Sequence, residues 1–212
     1  MRQHRHVGHL VAVAAIALAP LTVRAQTSAD TSRTDNLPTG QGHLSLGNAT
    51  LTLSNGNLQV LFIPLDERIL RLVNKDSYEG TEGTLAGQRR AIDSVVMLTG
   101  STSPGIAFVS FQGLAPNTRF EPEQLVVNVH GQQLRAIAVI PMSATFSNHQ
   151  LDVRQQVQAL FIYRRDLPVK ESFTISYLNA TSDDWGNRLP RFDAERSRIL
   201  GTVRARGDTI RY

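Results

Sequence analysis

The clearest pattern along the chain is alternation of apolar and polar positions. Ala49-Thr50-Leu51-Thr52-Leu53 runs at period two, and Leu58-Gln59-Val60-Leu61-Phe62-Ile63 returns after Ser54-Asn55-Gly56-Asn57. Asn-Gly tolerates the positive φ values of a type I′ turn, so this segment predicts a β-hairpin. Pro64 closes the second strand. Asp66 can then cap a helix whose apolar face is Ile69, Leu70, Leu72 and Val73, with Asn74-Lys75-Asp76 expected to end it. A second short helix is expected over 84–91. Gly80, Gly83 and Gly87 weaken it, because a glycine inside a helix costs about 1 kcal/mol against alanine.

From Ser94 to Leu178 the period becomes two again, broken by turn residues. Strands are expected at 94–99, 106–111, 124–130, 132–140, 155–163 and 171–178, with a tight turn at His130-Gly131. Phe173, Ile175 and Tyr177 point one way and Ser172, Thr174 and Ser176 the other, so one face is buried and one is wet. Val157, Ala159, Phe161 and Tyr163 oppose Gln156, Gln158, Leu160 and Ile162, which marks a more central strand. After Pro190, Phe192, Ile199, Leu200 and Val203 recur at near-helical spacing and predict an amphipathic helix over 191–203. The fold class is therefore mainly β, α+β overall. An antiparallel sandwich of immunoglobulin size is expected, preceded by a hairpin and short helices and followed by a helix.

Three stretches carry a resemblance. Val109-Ser110-Phe111, then Phe120-Glu121-Pro122 leading into Leu125-Val126-Val127, then Pro141 after a long strand, resemble immunoglobulin-like modules of exported bacterial proteins. The likeness covers roughly residues 94–178. The two bridging cysteines of immunoglobulin domains are missing, and the single tryptophan, Trp185, follows the sandwich. The resemblance implies a fold and carries over no functional residue.

Export is the expectation from the first 25 residues. Arg2 and Arg5 precede an apolar run from Leu10 to Leu21, and Val23-Arg24-Ala25 offers a small-residue cleavage site between Ala25 and Gln26. The run is shorter than the roughly 20 residues a membrane span needs. No transmembrane segment is expected after its removal, and the destination is a periplasm, cell surface or medium. The organisation read from the chain is a signal at 1–25, a disordered leader at 26–42, and a hairpin with short helices at 43–93. A sandwich at 94–180 and a loop with a helix at 181–212 complete it.

Signal removal changes the charge. Arg2, Arg5 and Arg24 leave with it and no acid does, so the 22 basic and 18 acidic residues become 19 and 18. A nearly neutral chain argues against nucleic acid as a partner. A local excess survives from Gly186 onward, where seven arginines face three acids. Those arginines are expected on the solvated side of the helix. With no cysteine, the chain relies on its core rather than on disulfides.

Candidate chemistry is sparse. His43, His130 and His149 show no metal-ligand spacing, so neither metal nor cofactor is expected. Gly100-Ser101-Thr102-Ser103-Pro104-Gly105 has the letters of a nucleophile elbow but not its spacing, and reads as a loop. Asp183, Asp184 and Trp185 are the candidate ligand contacts. An exposed indole beside two acids can stack on a sugar, although a loop in which Trp185 packs the last helix on the sandwich accounts for the same residues. The functional expectation is a non-enzymatic interaction or accessory module whose partner is a protein or envelope component. A carbohydrate- or cell-wall-binding module is the alternative, and a hydrolase with a site assembled from distant residues comes third.

Overall fold

A computed structural model describes residues 37–205. The expected hairpin forms from β1 (Leu51–Asn55) and β2 (Leu58–Pro64), with Leu51 opposite Phe62 and Leu53 opposite Val60. Its two-residue loop is Gly56-Asn57, one residue beyond the expected Asn-Gly pair. Positive φ falls on Gly56 (55°) and not on Asn57, as in a type II′ turn.

The strands of the second half follow as read, with small shifts. They are β3 (Gly105–Gly113), β5 (Leu125–Val129), β6 (Gln132–Pro141), β8 (Gln156–Tyr163) and β9 (Thr174–Tyr177). Short pieces β4 (Thr118–Arg119), β7 (Gln150–Leu151) and β10 (Ala180–Ser182) complete the set. His130 (φ 47°) and Gly131 (φ 75°) make the tight turn between β5 and β6. Eight strands form one antiparallel sheet in the order β1-β2-β3-β8-β6-β5-β9-β10, and β4 pairs with β7 separately. The sheet curls until β1 lies beside β10. The hairpin is thus part of the same sheet as the later strands, in a sandwich- or barrel-like, mainly β fold.

The alternation decides what the curled sheet encloses. Leu51, Leu53, Val60, Phe62, Val109, Phe111, Val127, Val157, Phe161, Phe173, Ile175 and Tyr177 all face one continuous interior. Phe111 sits at its centre, stacked on Phe120 at 4.8 Å between ring centroids and tilted against Phe161 and Tyr177.

Two helical expectations need correction. The short α2 (Glu67–Leu70) is capped by Asp66 as read, but Asn74 starts a helix instead of ending one. Its side chain accepts the backbone N–H of Ser77 at 2.9 Å, and the helix α3 (Lys75–Thr99) runs 25 residues to Gly100, where a φ of 63° stops it. Residues 94–99 are the end of α3 and not a strand. Leu85, Ile92, Val95 and Val96 recur at helical spacing and pack on the outer side of the sheet against Ile106, Phe108, Leu160 and Ile162. That covered outer face is why β8 is buried on both sides.

The leader also departs from expectation in its described part. Residues 26–36 lie outside the described residues, but Leu37 is only 1% exposed and joins the main core. The last helix, α4 (Trp185–Ala205), begins six residues before the expected start and buries Trp185, Phe192, Ile199 and Val203. A four-residue helix, α1 (Leu46–Ala49), lies against it. Among the described residues no helix is long and apolar enough to cross a membrane.

Candidate functional site

The residues singled out in the sequence do not come together on one surface. Ala25 and Gln26 lie outside the described residues. Asp183 and Asp184 are exposed, whereas Trp185 is 0% exposed. The indole N–H donates to the Val169 carbonyl at 3.2 Å, and its ring lies 4.9 Å from Phe173 and 5.2 Å from Phe192. Trp185 therefore packs α4 onto the sheet and is closed to a sugar ring. The Gly-Ser loop after α3 is a structural tie. Ser101 donates to the Arg164 carbonyl at 2.6 Å and Ser103 to Asp166 at 2.8 Å. His43 and His149 are exposed, and His130 pairs with Glu171 at 2.7 Å. Among the described residues no three His, Asp or Glu side chains are grouped as metal ligands would be.

The arginines of α4 are not simply solvated. Arg188 donates to the Asn48 carbonyl at 2.7 Å and Arg198 to the Gln41 carbonyl. Glu195 is buried, accepts from Arg198 at 2.9 and 2.7 Å, and also accepts the His43 backbone N–H at 2.7 Å. The Arg198 guanidinium, helped by that backbone N–H, holds the Glu195 carboxyl below the usual carboxylate range against the opposing effect of burial. These contacts clasp α4 to residues 41–48. No sequence signal separated clasping arginines from solvated ones, because their acceptors are backbone carbonyls some 140–157 residues away.

A binding-type geometry appears where α3 crosses the outer face of the sheet. A half-open cleft of about 440 Å³ lies between them. That volume falls in the roughly 300–1,000 Å³ range of small-molecule sites. Its apolar wall comes from Leu46, Ile63, Leu65, Phe108 and Met142. Alternation explains those positions: Ile63 and Phe108 are the outward residues of β2 and β3, and they pair with each other in the ladder. The roof is the first half of α3, presenting Ser77, Gly80, Thr81 and Thr84. These are one helical face by their spacing, and all are small. A Cβ added at Gly80 would meet nothing within 4 Å. Further along, larger residues on a similar face close the gap, beginning with Leu85 and Ile92. The cavity exists because the near half of α3 is small where the far half is large.

Polar groups line the same space unevenly. Thr81 spends its hydroxyl proton on the Ser77 carbonyl at 2.8 Å, and Thr84 on the Gly80 carbonyl at 3.0 Å. Both keep oxygen lone pairs for an acceptor role. Asp76 is the one formally charged lining residue, and it makes no ion pair among the described residues. The signal for this site in the sequence is Gly80, which reads there as a weakness in a helix.

Compared with known proteins, the chain matches no family model. It has no significant match among curated proteins or among solved structures.

Proposed function

We propose that this chain is an exported, non-enzymatic binding module of the cell envelope. The observation that carries the reading is the preformed cavity under α3, with carbon on its floor and small residues in its roof. Keeping such a space open is costly. Gly80 weakens the helix by about 1 kcal/mol relative to alanine, and the small roof residues forfeit packing that larger side chains would supply. A site of this kind holds a ligand by shape and desolvation, without a nucleophile or a paired acid and base. Export rests on the charged start, the short apolar run and Val23-Arg24-Ala25. The partner on this reading is a component of the envelope.

Fractionation of the native host, with mass spectrometry of the recovered protein, tests both halves. The expected result is a mature N-terminus at or near Gln26 in the envelope or medium, with a small molecule retained in native mass spectra. A cytoplasmic form that keeps Met1 overturns export. An envelope protein that never retains a small molecule, even from crude extract, overturns the binding role.

A further inference from the structure

We infer that the cavity under α3 selects an amphiphile with an apolar body and a hydrogen-bond-donating, positively charged head, an alkylammonium in its simplest form. This rests on the reading of the cavity as a binding site and adds the chemistry of its occupant.

The body follows from the floor. Leu46, Ile63, Leu65, Phe108 and Met142 offer hydrocarbon and one thioether. A polar ligand laid on them would lose water without regaining hydrogen bonds. The head follows from the roof and its edge. Thr81 and Thr84 have committed their protons to backbone carbonyls one turn back, so toward the cavity they accept. Asp76 is a carboxylate, which only accepts when ionised. It sits in the first turn of α3 at the edge of the cavity. The cavity wall holds no Lys, Arg or His. Ser77 and Gln158 line the same space with groups that donate as well as accept, so the choice of head rests on charge: Asp76, the one charged lining residue, repels a carboxylate or phosphate. An ammonium meets a partner for its charge and lone pairs for its protons. A neutral alcohol lies between the two, since it can donate one hydrogen bond and gains nothing from the charge.

The ligand leaves by the open side and is blocked by mass in the roof. Gly80→Leu places a side chain where an added Cβ finds free space, and removes a helix-weakening glycine. It is expected to hold or raise thermal stability while filling the site. Thr84→Leu fills the same space from the next turn and removes one acceptor.

Calorimetric titration of the full chain tests the inference, using dodecylammonium and dodecanoate below their micelle concentrations and dodecanol below its solubility limit. The expected affinity order is ammonium, then alcohol, then carboxylate. Gly80→Leu and Thr84→Leu are each expected to weaken dodecylammonium binding by roughly ten-fold or more, a loss well outside titration error. Asp76→Asn is expected to weaken the ammonium roughly two- to five-fold, as an exposed ion pair allows, and to leave dodecanol unchanged. Dodecanoate binding as tightly as dodecylammonium overturns the choice of head and spares the binding role. Binding that survives both roof variants in folded protein places the ligand elsewhere and overturns the site. No binding by any of the three overturns the cavity as a binding site altogether.

Discussion

Glu195 shows how one side chain can hold two distant parts of the chain. It reaches across from α4 to the His43 backbone and is itself fixed by Arg198 three residues on. Its folded-state pKa lies below the ordinary value, chiefly through the Arg198 hydrogen bonds. The sign of the pH effect follows. A carboxyl with a depressed folded pKa contributes stability in full above its unfolded pKa and loses it as pH falls through the folded value. Glu195→Gln keeps the size and removes the charge. It is expected to cost about 1–2 kcal/mol at neutral pH, in line with hydrogen bonds to charged groups. The cost should shrink as pH falls below the carboxylate range, because the wild-type group is then neutral too. Urea unfolding of both proteins at neutral and strongly acidic pH measures it. An equal difference at the two values would mean that the ionised clasp contributes nothing.

At the scale of elements, α3 and α4 are built on opposite terms. α4 buries Trp185, Phe192, Ile199 and Val203 in the main core, whereas α3 buries only Thr81 and Ile92. Met97 and Leu98 at its end stand 78% and 83% exposed. Packing therefore contributes less to α3 than to α4, and local propensity matters correspondingly more. Gly83 lies on an exposed stretch with nothing within 4 Å of an added Cβ. Gly83→Ala is expected to stabilise the protein by about 0.5–1 kcal/mol, through helix propensity and the unfolded chain alone. Denaturant unfolding checks it, and a loss of stability would mean that something approaches the helix at that glycine.

The same contrast explains which elements could be read from sequence. β8 and β9 were legible because each buries one strict alternation in a deep core. α4 was legible because its apolar residues recur at 3.6 and face that core. α3 was not. Its glycines depress helix propensity, and Val95 and Val96 suit a strand as readily as a helix face. What decides is tertiary: the outer faces of β3 and β8 need a cover, and Ile92 with Val95 and Val96 supplies it. Asn74 reads as a stop in the sequence because polar residues that end one helix cap the next equally well. The candidate site went unread for a related reason. A cavity is a relation between Gly80 on one element and Phe108 on another, and neither residue carries chemistry that a motif search would notice.

At the scale of the whole molecule, the main core is one connected body, with a second, smaller cluster under α3 on the outer face of the sheet. A chain of rings runs from Phe161 through Phe111 to Tyr177, and another joins Phe62, Phe173, Trp185 and Phe192. Both belong to the same buried interior, which also takes in Leu37, residues of the hairpin and residues of α4. A domain whose elements share one core should lose them together. Phe161 is fully buried in β8, so Phe161→Ala is expected to cost about 3–5 kcal/mol, the sum of lost transfer energy and the cavity left behind. Trp185, the single tryptophan, lies in a different element and reports from the α4 side. Its fluorescence transition in denaturant should therefore move by the same amount as the circular-dichroism signal of the sheet. If Phe161→Ala shifted the sheet signal and left the Trp185 transition where it was, α4 would be a separately stable attachment. The clasp at Glu195 would then be holding two bodies together, and not sealing one.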